Sequence, residues 1–309
     1  MRRFLKKTAI FALIIVLLLS FGEIVCRQLP TSYSYKNYYL ENYGSSINTL
    51  VLGSSHTYYG IIPALLNDSC FNLANISQSP EYDLRLLEHY YPMCPNLKCV
   101  IIPISYFTFT DLELEDTDEW RLCINYKIGN KLNYHSDFSK YNFEISSFQT
   151  YTGKLSNLFL KQKSNQCDSL GFGIGFNLQD RPDDWQLKAY DRVSYLTAFR
   201  PERQDEVFGC IEHTILFCKQ RNIEVVLVTT PVWTSFRENM DSAQYERMLR
   251  CANELAQRHN IHYYNMFGSN MFDEDDFHDV DHLSDAGAEK FTTLLDSFFQ
   301  ADCISTRRR

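Results

Sequence analysis

The chain has 309 residues, 45% of them apolar and 22% charged. Those are the proportions of a globular protein, and they exclude a disordered chain, a fibre and a multi-spanning membrane protein. The formal net charge is −8, yet residues 1–27 are net basic and Arg307, Arg308 and Arg309 form a basic end. The chain between them is therefore strongly acidic, which argues against nucleic acid as a partner.

Arg2, Arg3, Lys6 and Lys7 precede an apolar run over residues 8–22 that continues past Glu23 to Cys26. The run is longer than a signal-peptide core and close to the length of a membrane span. No small-x-small cleavage site stands out, and Glu23 spoils the context that a lipoprotein Cys26 would need. An uncleaved signal anchor over residues 8–26 is the reading, with a cleaved signal as the alternative. The cationic flank then stays in the cytoplasm and the body is exported, to a periplasm or a cell surface. The expected divisions are residues 1–27 as flank and anchor and 28–47 as a Tyr- and Asn-rich stalk. Residues 48–303 form the domain, with an insertion at about 105–200, and 304–309 form a basic tail. Ten cysteines show no paired framework, so most are expected to be buried thiols acting as small hydrophobes.

Beyond the stalk, apolar runs and helical periods alternate. Strands are expected at 48–53, 70–74, 98–104, 223–229 and 261–265. Helices are expected at 60–67, 79–91, 201–221, 242–259 and 284–299, the last capped by Ser284. Residues 105–200 show no sustained period and are expected to form an irregular cap, with a mobile loop at Gly171 to Gly175. Continuous apolar strands alternating with helices predict a five-stranded parallel sheet covered on both faces. Ligands bind such sheets at the carboxyl ends of the strands.

Three polar clusters fall there. Gly53-Ser54-Ser55-His56 follows the first strand; it is either a plain turn or a serine presented for attack on an ester carbonyl. It is not the G-x-S-x-G elbow, because Thr57 replaces the second glycine. Asp279-Val280-Asp281-His282 precedes the last helix. There a carboxylate can accept the imidazole Nδ1–H and leave Nε2 free to take a serine proton. The same stretch also suits a solvated acidic loop, or a metal site built from His278, Asp279, Asp281 and His282. Thr229, Thr230 and Trp233 end the fourth strand and are expected to line the same crevice, Trp233 stacking on a sugar or packing in the core. His56 is either a site residue or a structural histidine, and Arg237 either steers an anion or sits in solvent.

Gly53-Ser54-Ser55 after the first strand, together with Asp279-Val280-Asp281-His282 before the last helix, resembles the SGNH (GDSL-type) hydrolase superfamily. The resemblance covers roughly residues 48–104 and 201–300. It implies a three-layer α/β/α fold with a flavodoxin-like parallel sheet, here with an added N-terminal transmembrane helix. Ser55 corresponds to the nucleophile, Asp279 to the acid and His282 to the base, with no metal and no cofactor. The family's second block departs here: Asn72-Leu-Ala-Asn75-Ile-Ser77 puts Ala74 and Ser77 at its two glycine positions. A backbone N–H from Ser77 can still serve the oxyanion, because the donor is the amide and not the side chain, and Asn75 is a further candidate for the oxyanion or substrate site. The third block's Gly-x-Asn is absent, and Ser105 stands in its place. With its anchor, the chain looks like the membrane-tethered branch associated with acylation of envelope glycans or teichoic acids. The activity implied is serine-dependent ester hydrolysis or O-acyl transfer, with an acylated polysaccharide as substrate. The alternative is a silent module that keeps the fold to bind an envelope polymer or a membrane acyltransferase.

Overall fold

The computed structural model describes residues 1–66, 69–110, 125–126, 129–132, 143–146, 148–159, 167–197 and 201–306. Residue 67, much of the 105–200 insertion and the three terminal arginines lie outside the described residues. The chain separates into two compact units, residues 1–37 with 115–166, and 38–114 with 167–309.

In the first unit, helix α1 (Arg2–Gln28) is long and apolar enough to cross a membrane. Near its end, Gly22 leaves room for the Tyr151 hydroxyl, which would lie 1.8 Å from a Cβ at that position. Tyr151 lies on a helix, Phe148–Phe159, inside the stretch expected to be irregular. Its sequence FQTYTGKLSNLF is polar on one side and short, which hid the period. Residues 28–47 hold a helix, α2 (Ser32–Tyr43), whose first residues, with the buried Lys36, belong to this unit and whose remainder, with the buried Leu40, belongs to the second.

The second unit is built on five parallel strands: β1 (Thr49–Val51), β2 (Cys70–Asn72), β3 (Cys99–Pro103), β4 (Glu224–Thr229) and β5 (His262–Asn265). Their order is β2-β1-β3-β4-β5, with Leu50 opposite both Phe71 and Val100, Ile101 opposite Val226, and Val228 opposite Tyr264. This is the flavodoxin-like order, and it confirms the expected three-layer fold. The inner strands are apolar because both faces are covered. Val51, Ile101, Val226 and Val228 share a core with Phe291 and Leu295 of the last helix, Asp285–Thr306. On the strands, side chains alternate, so Leu50, Val100 and Leu227 face the other way. The helices Pro80–Tyr90 and Pro201–Lys219 pack against each other, and the latter also meets Ser242–His259. Ser284 caps the last helix as expected, accepting the Gly287 N–H at 3.2 Å.

The Gly171–Gly175 segment is tied down where a mobile loop is expected. Asp168 Oδ1 accepts the N–H groups of Leu170 and Phe172, and the Gly173 N–H donates to the Tyr58 carbonyl. Gly171 and Gly175 both have positive φ, and Phe172 is buried. The glycines serve a tight turn and not looseness. Cys26, Cys94, Cys218 and Cys251 are buried thiols, as the missing disulfide framework led one to expect.

Candidate active site

Strand order reverses between β1 and β3, which opens a crevice at their carboxyl ends. β1 runs into Gly53, whose φ is +112°. A Cβ here would sit 2.0 Å from Pro103 Cγ, so only glycine lets the chain turn this close to β3. The Gly53 N–H donates to Asp83 Oδ1 at 2.8 Å, and Thr57 Oγ1 donates back to the Leu52 carbonyl at 2.7 Å. Between those two ties Ser55 opens a single helical turn, Ser55–Tyr58, with Ser54 as its N-cap.

Across the crevice, the 277–283 loop is closed by a bridge between Phe277 and Leu283. Asp279 Oδ1 accepts the N–H groups of Asp281 (3.0 Å) and His282 (2.8 Å), which fixes its carboxylate under the imidazole. That carboxylate takes His282 Nδ1–H at 2.9 and 3.0 Å, and His282 Nε2 lies 2.8 Å from Ser55 Oγ. Of the two adjacent serines it is the Ser55 hydroxyl that meets the histidine, while Ser54 is buried as the cap. Burial pushes the His282 imidazole down. The carboxylates of Asp279 and Asp281 outweigh it and hold the pKa above its ordinary 6.5.

A second network adjoins the first, and the sequence did not indicate it. His56 Nε2 lies 3.2 Å from Asp281 Oδ2, and His56 Nδ1 lies 2.9 Å from Ser105 Oγ. Arg192, on the helix Ala189–Leu196, clamps Asp281 through Nε at 3.0 Å and Nη2 at 2.8 Å. Burial alone would raise the Asp281 pKa, but His282, His56 and Arg192 hold it well below the carboxylate range. Burial lowers His56, so its neutral form prevails. Arg192 lies in the stretch without period, and Asp281 is masked in sequence by Asp279 two residues earlier. The two rings, His56 and His282, stand 5.0 Å apart and edge to face.

His56, Asp281 and His282 bring ligand atoms within 4.8 Å of one another. They do not fit a metal well. Both Asp281 oxygens take the Arg192 guanidinium, and both His282 nitrogens are engaged by Asp279 and Ser55. His278, the other ligand weighed in the sequence, turns aside to the Asn177 carbonyl and stacks on Phe176 at 4.2 Å.

The remaining expected residues divide between the crevice and the core. Ser54, Ser77, Gln78 and Ser105 line one pocket beside Gly53. Ser77 has φ +54°, in the left-handed region that favours glycine. Neither the Ser55 nor the Ser77 amide has a protein acceptor among the described residues. The Asn75 side-chain amide is spent on Gln78 Oε1 and the Leu73 carbonyl, while its Oδ1 is buried without a partner. Thr230 is buried with its methyl facing Gly60, and Trp233 packs between Trp185 and Phe277. Neither is among the described residues lining that pocket. Arg237 is held by Thr234 and the Gly268 carbonyl.

Compared with known protein families and with curated proteins, the sequence matches none. Among solved structures, the chain is similar to a candidate acylhydrolase from Bacteroides fragilis. The identity is 13% and the TM-score 0.42, over 89% of this chain and 95% of that one. It is also similar to a GDSL-like lipase from Bacteroides thetaiotaomicron, at 12% identity and a TM-score of 0.42. That match covers 87% of this chain and 99% of the other. At such scores a likeness decides nothing about chemistry.

Proposed function

We propose that the chain is a serine-dependent acyl-ester hydrolase or O-acyltransferase of the SGNH type. In this reading it acts outside the membrane on an esterified envelope glycan or similar polymer, held by helix α1. The observation that carries this is the run of contacts from Ser55 Oγ through His282 to the Asp279 carboxylate. Such a run can move a proton off a serine at neutral pH.

Ser55 Oγ attacks the ester carbonyl as His282 Nε2 takes its proton. Asp279 holds the imidazole in the tautomer that leaves Nε2 open, and stabilises the imidazolium that forms. The Ser55 and Ser77 amides, which follow β1 and β2, supply N–H donors to the oxyanion; neither has a protein acceptor among the described residues. His282 then returns its proton to the leaving alcohol. Water or a glycan hydroxyl, activated by the same nitrogen, completes the reaction; which one enters depends on what excludes water from the crevice. The export of the body rests on Arg2, Arg3, Lys6 and Lys7 flanking the apolar helix on one side.

A fluorophosphonate probe on the full-length protein tests the chemistry. We expect an adduct at Ser55, and expect its formation to slow at least a hundredfold in Asp279→Asn and in His282→Ala, since the three act as a unit. An unlabelled Ser55 in folded protein would sink this reading. Protease shaving of intact spheroplasts tests the topology, and a body left uncut would count against export.

A further inference from the structure

The residues beside the Ser55 run repeat its parts. Ser105 Oγ meets His56 Nδ1 at 2.9 Å, and the other nitrogen of that ring meets the Asp281 carboxylate at 3.2 Å. Asp281 is fully buried and ionised by Arg192, so His56 must carry its proton on Nε2, facing that charge. Nδ1 is then a lone pair, and the Ser105 hydroxyl donates to it. The ring is fixed from both sides, edge to face with Phe107 at 5.3 Å and with His282 at 5.0 Å. Ser105 itself lines the same pocket as Ser54 and Ser77.

A serine that only braces a histidine has no need of a pocket wall, an oriented ring and a buried ionised acid together. We infer that Ser105 is a second nucleophilic serine, activated by His56 and Asp281, able to carry an acyl group in the same cleft. This extends the ester-site reading of the cleft and rests on it. In the step, Ser105 Oγ forms a bond to the ester carbonyl carbon and its proton passes to His56 Nδ1. The bond from that carbon to the alcohol oxygen breaks, and the oxygen departs with the proton from His56. The acyl group is left esterified to Ser105.

The same orientation also rules out the simplest role for Ser105. Its hydrogen points at His56, so the hydroxyl offers lone pairs to the cleft and is not an oxyanion donor in the resting state.

The test is fluorophosphonate labelling of full-length Ser55→Ala, with the adduct located by peptide mass mapping. We expect an adduct on Ser105, formed at least tenfold faster than in Ser55→Ala carrying His56→Asn or His56→Gln. Those two keep a polar side chain without a base, and either one that retains its thermal unfolding transition suffices. A Ser55→Ala chain unlabelled at Ser105, while the native chain labels at Ser55, overturns this inference and spares the Ser55 reading. Labelling of Ser105 at an unchanged rate without His56 overturns it too. Labelling of Ser105 but never of Ser55 in the native chain would instead sink the Ser55 reading and leave this one standing.

Discussion

Two turn residues set the geometry on which everything else depends. Gly53 combines a φ of +112° with a Cβ position 2.0 Å from Pro103 Cγ. A methyl group there meets both backbone strain and a ring that cannot swing away. Gly53→Ala should therefore cost about 3 kcal/mol or more by denaturant unfolding, the combined scale of a strained φ and an overpacked contact. Ser77 is the opposite case. Its φ of +54° is one that Gly adopts freely, so Ser77→Gly trades strain against entropy. Its stability should stay within about 1 kcal/mol of the native chain. If only the amide serves the oxyanion, kcat should also be nearly unchanged in Ser77→Gly, while Ser77→Val, bulky at positive φ, should lower both. A large loss of kcat in a stable Ser77→Gly would show that the hydroxyl matters.

At the scale of elements, the helix Ala189–Leu196 packs Ala189, Val193 and Leu196 into the core and reaches the site through one side chain. Arg192 neutralises Asp281, whose side chain is 0% exposed, whereas the arginine itself is 32% exposed. Breaking a buried pair costs about 3–5 kcal/mol, and water reaching the arginine's side reduces that, so about 2 kcal/mol is expected for Arg192→Met. Arg192→Lys should recover only part of it, since an ammonium cannot reproduce the forked contact. Thermal unfolding of the three proteins checks both. The contrast between this helix and the strands shows what sequence could carry. The strands announce themselves as apolar runs such as Val225 to Val228, because burial on both faces permits little else. Ser55, Asp279 and His282 were legible because each sits a fixed step from a strand end or a helix start. Arg192 and the Ser105–His56–Asp281 contacts were not. They join residues 49 to 225 positions apart through a segment whose helices are short and whose period is broken by polar residues. His56 and Ser105 were visible as residues, but nothing local says that one faces the other.

For the molecule as a whole, the two histidines should leave opposite marks on its pH dependence. His282 has a raised pKa in the fold, so it binds a proton more tightly there than in the unfolded chain. The stability it gives is full below about pH 6.5 and is lost as pH rises through its raised value. His56 is lowered, so its contribution is intact above about pH 6.5 and is lost as pH falls through its depressed value. Asp281, held well below 3.8, adds a further loss as pH drops below that figure. Stability therefore falls on the acid side through His56 and then Asp281, and eases on the alkaline side through His282. In the proposed reaction activity follows a different rule, because the base must be unprotonated to accept from Ser55. The acid limb of kcat/KM should accordingly have its midpoint above 6.5, in a range where the fold is still near its most stable. Asp279→Asn removes the charge hydrogen-bonded to the ring that raises His282, so any residual activity should show that midpoint moved to lower pH. Measuring thermal unfolding and ester turnover across the same pH series separates the two effects. A midpoint below 6.5 in the native chain, or one that Asp279→Asn leaves in place, would mean that a group other than His282 governs the acid limb.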